Sequence, residues 1–231
     1  MALIGVTIGS ASCIKCVFPH TGNGKLETWE KDVSTFEKIN CSGNAEVRYH
    51  VSDEYRAVVT IDANLRKHIE VFTKNNVLII RPETGSNFSP TKFLVDVYAP
   101  VLYGVTIWGS GSFAGMDIIS ASSFAAVISG SGKVQGAVEC GHFSAKISGS
   151  GKITVDGYCK DADISISGSG NFNGNELMIK NAKVNISGSG NVNVFVTDYL
   201  NAIISGSGKI NYRGEPKIDT KVSGSGRIRK M

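Results

Sequence analysis

At 231 residues the chain can bury one substantial core, and a single domain is the default expectation. A hydrophobic content of 42% excludes a disordered chain, and 27 Gly with 5 Pro fall short of a low-complexity composition. The formal charge of +4 is mildly basic, and no dense Lys/Arg cluster points to a nucleic-acid partner.

The chain opens with an uncharged, largely apolar run of eleven residues, Ala2 to Ser12. That is too short to span a bilayer and suits the apolar region of a signal peptide followed by small residues. Ser10-Ala11-Ser12-Cys13 resembles a bacterial lipobox, which makes Cys13 the candidate lipidation site and residues 1–23 a leader and linker. The expectation is an exported lipoprotein of the bacterial cell envelope, at the outer membrane, held to the membrane by its lipid. Ser10 stands where an aliphatic is usual and no Lys or Arg precedes the run, so a buried first strand is the alternative. Cysteines at 13, 16, 41, 140 and 159 include one CxxC without a second, which does not make a zinc site. The four histidines (20, 50, 68, 142) lack metal-ligand spacing, so no metal and no cofactor is expected.

Residues 24–106 read as a series of strands. Thr35–Ile39, Ala45–Tyr49, Ala57–Ile61, His68–Phe72, Val77–Ile80 and Phe93–Tyr98 are β-branched or alternating, with turns such as Lys74-Asn-Asn between them. Ile39-Asn-Cys-Ser-Gly43, followed by Ala45 and Val47, looks like a degenerate first repeat. This part is expected to start the fold and cap its open end.

From residue 107 to 231 one motif recurs. ISGSG or VSGSG places its first serine at 129, 148, 167, 187, 205 and 223, at intervals of 19, 19, 20, 18 and 18 residues. IWGSGSF fits the same frame with Trp108 in the serine position, 21 residues before Ser129. A near-constant period means stacked repeats, and alternation of apolar or glycine with polar residues means strand rather than helix. The expected fold is all-β: a single-stranded parallel β-helix of about seven rungs of 18–21 residues, continuous with its strand-rich N-terminal cap. The motif holds 14 of the 27 glycines, each costing roughly 0.5–1 kcal/mol against alanine in a strand. They are expected to face inward where a Cβ would not fit, or to sit at a bend of unusual φ. The compensation comes from aliphatic columns such as Ile107, Ile128, Ile147, Ile166, Ile186, Ile204 and Val222. Cys140 and Cys159 share one slot on adjacent rungs, expected as a buried thiol pair in preference to a disulfide.

In order, Val33–Ile39, the strand pair around Val58–Ile61 and Ile69–Val71, Val77–Ile80, Phe93–Tyr98, Pro100–Ile107 and the ISGSG repeats resemble the head GIN domain family of putative auto-transporter adhesins. The resemblance covers nearly everything after residue 30. It implies a bacterial, exported β-helical protein, often a lipoprotein, and carries no catalytic residues over.

Gly149-Ser-Gly-Lys152 lacks the Ser or Thr and the helix that a phosphate loop requires. A polysaccharide-active β-helix enzyme needs convergent carboxylates in a groove, and no such set is visible; Asp161 and Asp163 read as a solvated turn. The outward columns are more informative. Ser131, Ser150, Ser169, Ser189 and Ser207 run beside Lys133, Lys152, Asn171, Asn191 and Lys209, with Trp108 the one aromatic nearby. Serine and asparagine ladders serve stacking alone in the simplest reading. As a binding face, the same columns suit surface glycans or other envelope polymers that are anionic or hydroxyl-rich. The function expected is therefore non-enzymatic, an adhesin-like surface-binding or scaffolding module; the alternatives are the polysaccharide enzyme and a self-assembling structural protein of unspecified oligomeric state.

Overall fold

The computed structural model describes residues 20–83 and 88–231; Cys13, the expected lipidation site, lies outside them, as does Cys16. Four long strands, Lys133–Gly149, Lys152–Gly168, Asn171–Gly188 and Asn191–Gly206, each make nearly a whole turn of a parallel coil. Each pairs in parallel with the next, so Ser129, Ser148, Ser167, Ser187, Ser205 and Ser223 stand in one vertical column. The architecture is the expected β-solenoid, of about seven turns, with a barrel-like sheet near the N-terminus.

Inward columns form the core. Ile107, Ile128, Ile147, Ile166, Ile186 and Ile204 are all buried, as are Phe113, Val134, Ile153, Phe172, Val192 and Ile210. Each such side chain contributes about 1.5–3 kcal/mol when fully withdrawn from water. The two glycines of each motif answer to different demands. The first sits at a corner with φ between +106° and +128° from Gly109 to Gly224. A Cβ there would come within 2.5–2.9 Å of a glycine carbonyl oxygen one rung earlier. The second faces inward, and from Gly132 to Gly226 a Cβ would lie 2.5–2.7 Å from Cγ2 of the isoleucine one rung earlier. Because side chains are excluded, backbone pairing continues through the corner: the Ser150 amide donates to the Gly130 carbonyl and the Lys152 amide to the Gly132 carbonyl, both at 3.0 Å.

Uneven intervals have a local explanation. The rung Asn171–Gly188 carries extra residues, and its register shifts between Gly174 and Met178. The extra loop is tied down by Arg213, which donates to the Asn175 carbonyl at 2.9 Å and pairs with Glu176 at 3.7 Å.

The N-terminal part extends the stack, as the degenerate repeat suggests. Gly104–Gly109 pairs in parallel with Lys38–Gly43, and Ser112–Gly115 with Glu46–Tyr49. Val77–Pro82 and Phe93–Ala99 add one further layer in parallel. Antiparallel partners then close the end: Ile69–Lys74 on Val77–Pro82 through the left-handed pair Asn75-Asn76, Arg56–Asp62 on Phe93–Ala99, and Leu26–Lys31 on Arg56–Asp62. Asp62, fully buried, pins this cap. Its carboxylate accepts the Gly24 amide at 2.7 Å and both the amide and hydroxyl of Thr91 at 2.8 Å. Burial pushes the Asp62 carboxyl up, but the bonds from the Thr91 hydroxyl and from the amides of Gly24, Thr91 and Lys92 outweigh it and hold it below the ordinary carboxylate value.

Among the described residues, no strand pairs with the far side of Lys217–Ser223. On the last rung Ile218, in register with Leu200, and Val222, in register with Ile204, are 48% and 44% exposed, so their columns are covered on one side only. Lys217, Asp219, Lys221, Arg227 and Arg229 occupy that edge, and charge there discourages edge-to-edge pairing. Cys140 and Cys159 stand in register as free, buried thiols. The hydrogen bond between them, then burial, holds the Cys159 thiol well above the usual thiol range; burial alone pushes Cys41 up to about 12.

Two outcomes test this account. Gly149→Ala should lower the free energy of unfolding by about 3 kcal/mol, from backbone strain and the clash with Gly130, while exposed Ser150→Ala changes it by less than about 0.5 kcal/mol in denaturant titrations. Asp62→Asn should be less stable than the parent at pH 7, and the gap should shrink as pH falls below about 4, because a carboxylate with a lowered folded pKa stabilises only while ionised.

Candidate functional site

Outward positions of the rungs form columns, and the corner glycine divides them into two faces. After the corner run Ser131, Ser150, Ser169, Ser189 and Ser207, then Lys133, Lys152, Asn171, Asn191 and Lys209, with Arg227 below. The five serines, the three lysines and Asn171 are exposed, and Asn191 is half-buried. Beside them lie Asn173, Asn193, Asn211 and Arg229.

Asparagines and serines behave differently here. Asn191 donates its amide to Asn171 Oδ1 at 3.1 Å, and Asn211 donates to Asn193 Oδ1 at 2.8 Å. Among the described residues, none of the motif serines makes a side-chain hydrogen bond. Rungs spaced by about 4.8 Å leave in-register hydroxyls too far apart to bond, whereas the longer amide carries a donor and an acceptor that bridge the gap. The hydroxyls thus remain free for water or a ligand. Asn173 and Asn175 each carry a buried Oδ1 without a partner among the described residues. With Lys152, Asn171, Asn191 and Asn193 they line a shallow depression of about 320 Å³. A smaller one, of about 120 Å³, continues at Lys209, Asn211, Arg227 and Arg229.

Charge on this face is unbalanced. Lys133 is in register with Lys152, and Lys209 with Arg227. Among the described residues none of the four has an ion-pair partner. Like charges placed directly across a ladder repel, so the fold gains nothing from these two pairs.

Trp108 stands elsewhere. It precedes its corner glycine, is 50% exposed, and lines a groove of about 330 Å³ with Ser129, Lys146, Ser148, Ser165 and Ser167. Of the candidate face, then, the structure brings the second-serine, lysine and asparagine columns together and sets Trp108 apart on the face before the corner.

That earlier face holds a second groove, of about 480 Å³, which the sequence did not predict: Asp161 and Asp163, expected in a solvated turn, instead lie within the strand Lys152–Gly168 and line it, because the chain runs through that position without turning. His142, Asp161, Asn181 and Tyr199 form one in-register column, and Asp163, Lys183 and Asn201 the next. The groove lies where the inward column changes from Phe124 and Phe143 to Ala162 and Ala182. Asp161 accepts the Asn181 amide at 2.9 Å, and Asp163 meets His142 Nε2 at 3.4 Å. These residues belong to no repeated letter, so period alone does not find them; the available signal was their outward alternation next to one another on consecutive rungs. Among the described residues no three His, Cys, Asp or Glu side chains gather as metal ligands.

Residues 35–216 match the family model described as "Putative auto-transporter adhesin, head GIN domain". The chain belongs to this family. Solved structures with the same fold include the "putative lipid binding protein" of Parabacteroides distasonis, at 28% identity and TM-score 0.78, covering 91% of this chain and 98% of that one. A "putative adhesin" of Bacteroides fragilis is 22% identical at TM-score 0.87, covering 91% and 99%. Another from Parabacteroides merdae is 24% identical at TM-score 0.73, covering 91% and 98%. No match was found among curated proteins. In this head GIN domain chain the rungs form the body and a barrel-like sheet lies near the N-terminus.

If the paired cations were structural, removing one would weaken the fold. Lys133→Ala should instead raise stability by about 0.3 kcal/mol at low ionic strength, a gain that disappears in 1 M salt, as read by thermal unfolding.

Proposed function

We propose that this head GIN domain protein is a non-enzymatic surface-binding module of the bacterial envelope, which holds an anionic, hydroxyl-rich polymer along the strip after the corner. One observation carries the reading: two in-register cation pairs, Lys133 with Lys152 and Lys209 with Arg227, have no counter-charge among the described residues and flank an asparagine strip. An anionic ligand supplies the missing counter-charge, and free serine hydroxyls beside the cations offer donors at a fixed pitch of about 4.8 Å. A linear polymer with a repeating acidic sugar matches a face that is itself a repeat. Anchoring through a lipid on Cys13, at the outer membrane, belongs to the same proposal and would place the solenoid at the envelope surface. The family's adhesin description supports a surface role.

Combined replacement of Lys133, Lys152 and Lys209 by Ala should leave the circular dichroism spectrum unchanged and weaken retention on immobilised polygalacturonate at least tenfold, with parental binding itself falling steeply as salt rises. Retention equal to the parent would remove the electrostatic reading, and release of new reducing ends or unsaturated products from the polymer would make the protein an enzyme.

A further inference from the structure

The groove before the corner differs in chemistry from the basic strip. Its lining mixes Asp161 and Asp163 with Lys183 and His142, so no single charge dominates, and Ala162, Ala182 and Ile203 add apolar surface. Tyr199 lines it, is 36% exposed, and makes no ring contact among the described residues. Each carboxylate spends one oxygen within the protein, Asp161 on Asn181 and Asp163 on His142, and keeps the other. Asn201, also in the lining, donates its amide to Asp219 at 3.2 Å, and its Oδ1 is buried.

We propose that this groove is a subsite for an uncharged sugar ring, with Tyr199 as its platform and Asp161 and Asp163 as acceptors for its hydroxyls. A pyranose presents C–H groups on one face and hydroxyl donors around its rim. The first needs an exposed aromatic face without a partner; the second needs acceptors with lone pairs to spare. Both are present within one depression of about 480 Å³, a volume suited to a small ligand. With its charges mixed, this groove lacks the excess of cations found on the strip, and that separates the two in the ligand charge each favours. Lys183, without an ion-pair partner among the described residues, supplies a donor to the sugar's own oxygens. A bare carboxylate cluster would suit a cation; the tyrosine, the amides and the lysine fit a polyhydroxyl ligand instead.

The test uses the whole described chain and neutral hexasaccharides of β-linked glucose, α-linked mannose and β-linked N-acetylglucosamine, followed by amide NMR and calorimetry. At least one should shift the amide signals of residues 161–163, 181–183 and 199–203. Tyr199→Ala should weaken that binding about tenfold, while Tyr199→Phe stays within about twofold because the ring is retained. The Lys133/Lys152/Lys209 triple variant should bind the neutral sugar as the parent does, so loss of acidic-polymer binding and loss of this subsite are read separately. The proposal is overturned if no hexasaccharide shifts those signals, if natively folded Tyr199→Ala binds as tightly as the parent, or if the sugar is cleaved.

Discussion

Everything in this molecule depends on backbone approaching backbone at the corner of each rung. At Gly149 the chain turns with φ of +116°, and any Cβ would stand 2.6 Å from the Gly130 carbonyl oxygen. That close pass is what lets amides on both sides of the bend keep pairing with the rung before. A solenoid whose corners broke the ladder would leave polar backbone unpaired at every turn, and unpaired buried groups are expensive. Glycine's conformational cost is accepted here because the alternative costs more. The inward isoleucine of one rung then reaches over the second glycine of the next, so corner and core are parts of one packing solution.

The same constraint makes the surface. In-register stacking turns each outward letter into a column, and the length of the side chain decides what a column can do. Asparagine spans the rung spacing and bonds to its neighbour; serine does not and stays available. Lysine set on lysine repels. A face built from these elements is rigid and regularly spaced, with polar groups that the protein leaves unsatisfied. Rigidity lowers the entropic cost of holding an extended polymer, which is why a repeat is a good scaffold for binding one.

Much of this was legible from the letters. The serine column was readable because a constant interval in a parallel stack means vertical adjacency, and the recurrence of aliphatic, serine, glycine marked both core and corner. The degenerate Ile39–Val47 segment was recognisable by the same alternation, and it does pair with Gly104–Gly115. The grooves were less legible. Trp108 shares its column with the first serines, yet the corner turns it away from the lysines, and sequence alignment does not encode which side of a bend a residue occupies. His142, Asp161, Asn181 and Tyr199 follow one another down a column without sharing a letter, so no periodic signal flags them.

The amino-acid sequence by itself determined the rung period, the alternation of inside and outside, and the need for glycine at fixed places. Those properties are local or periodic, and a parallel in-register stack maps them directly onto space. Only the tertiary structure decided where the corner parts the two faces, which outward columns face one groove, and how the Asp62 carboxylate ties the cap together. These depend on distances between residues that no interval relates: Asp62 and Thr91 meet across 29 residues through the folding of the antiparallel cap. Equally, Leu200 and Ile204 are buried while Ile218 and Val222, in register with them on a rung that no further described strand covers, are exposed, a property of position in the stack that no residue carries within itself.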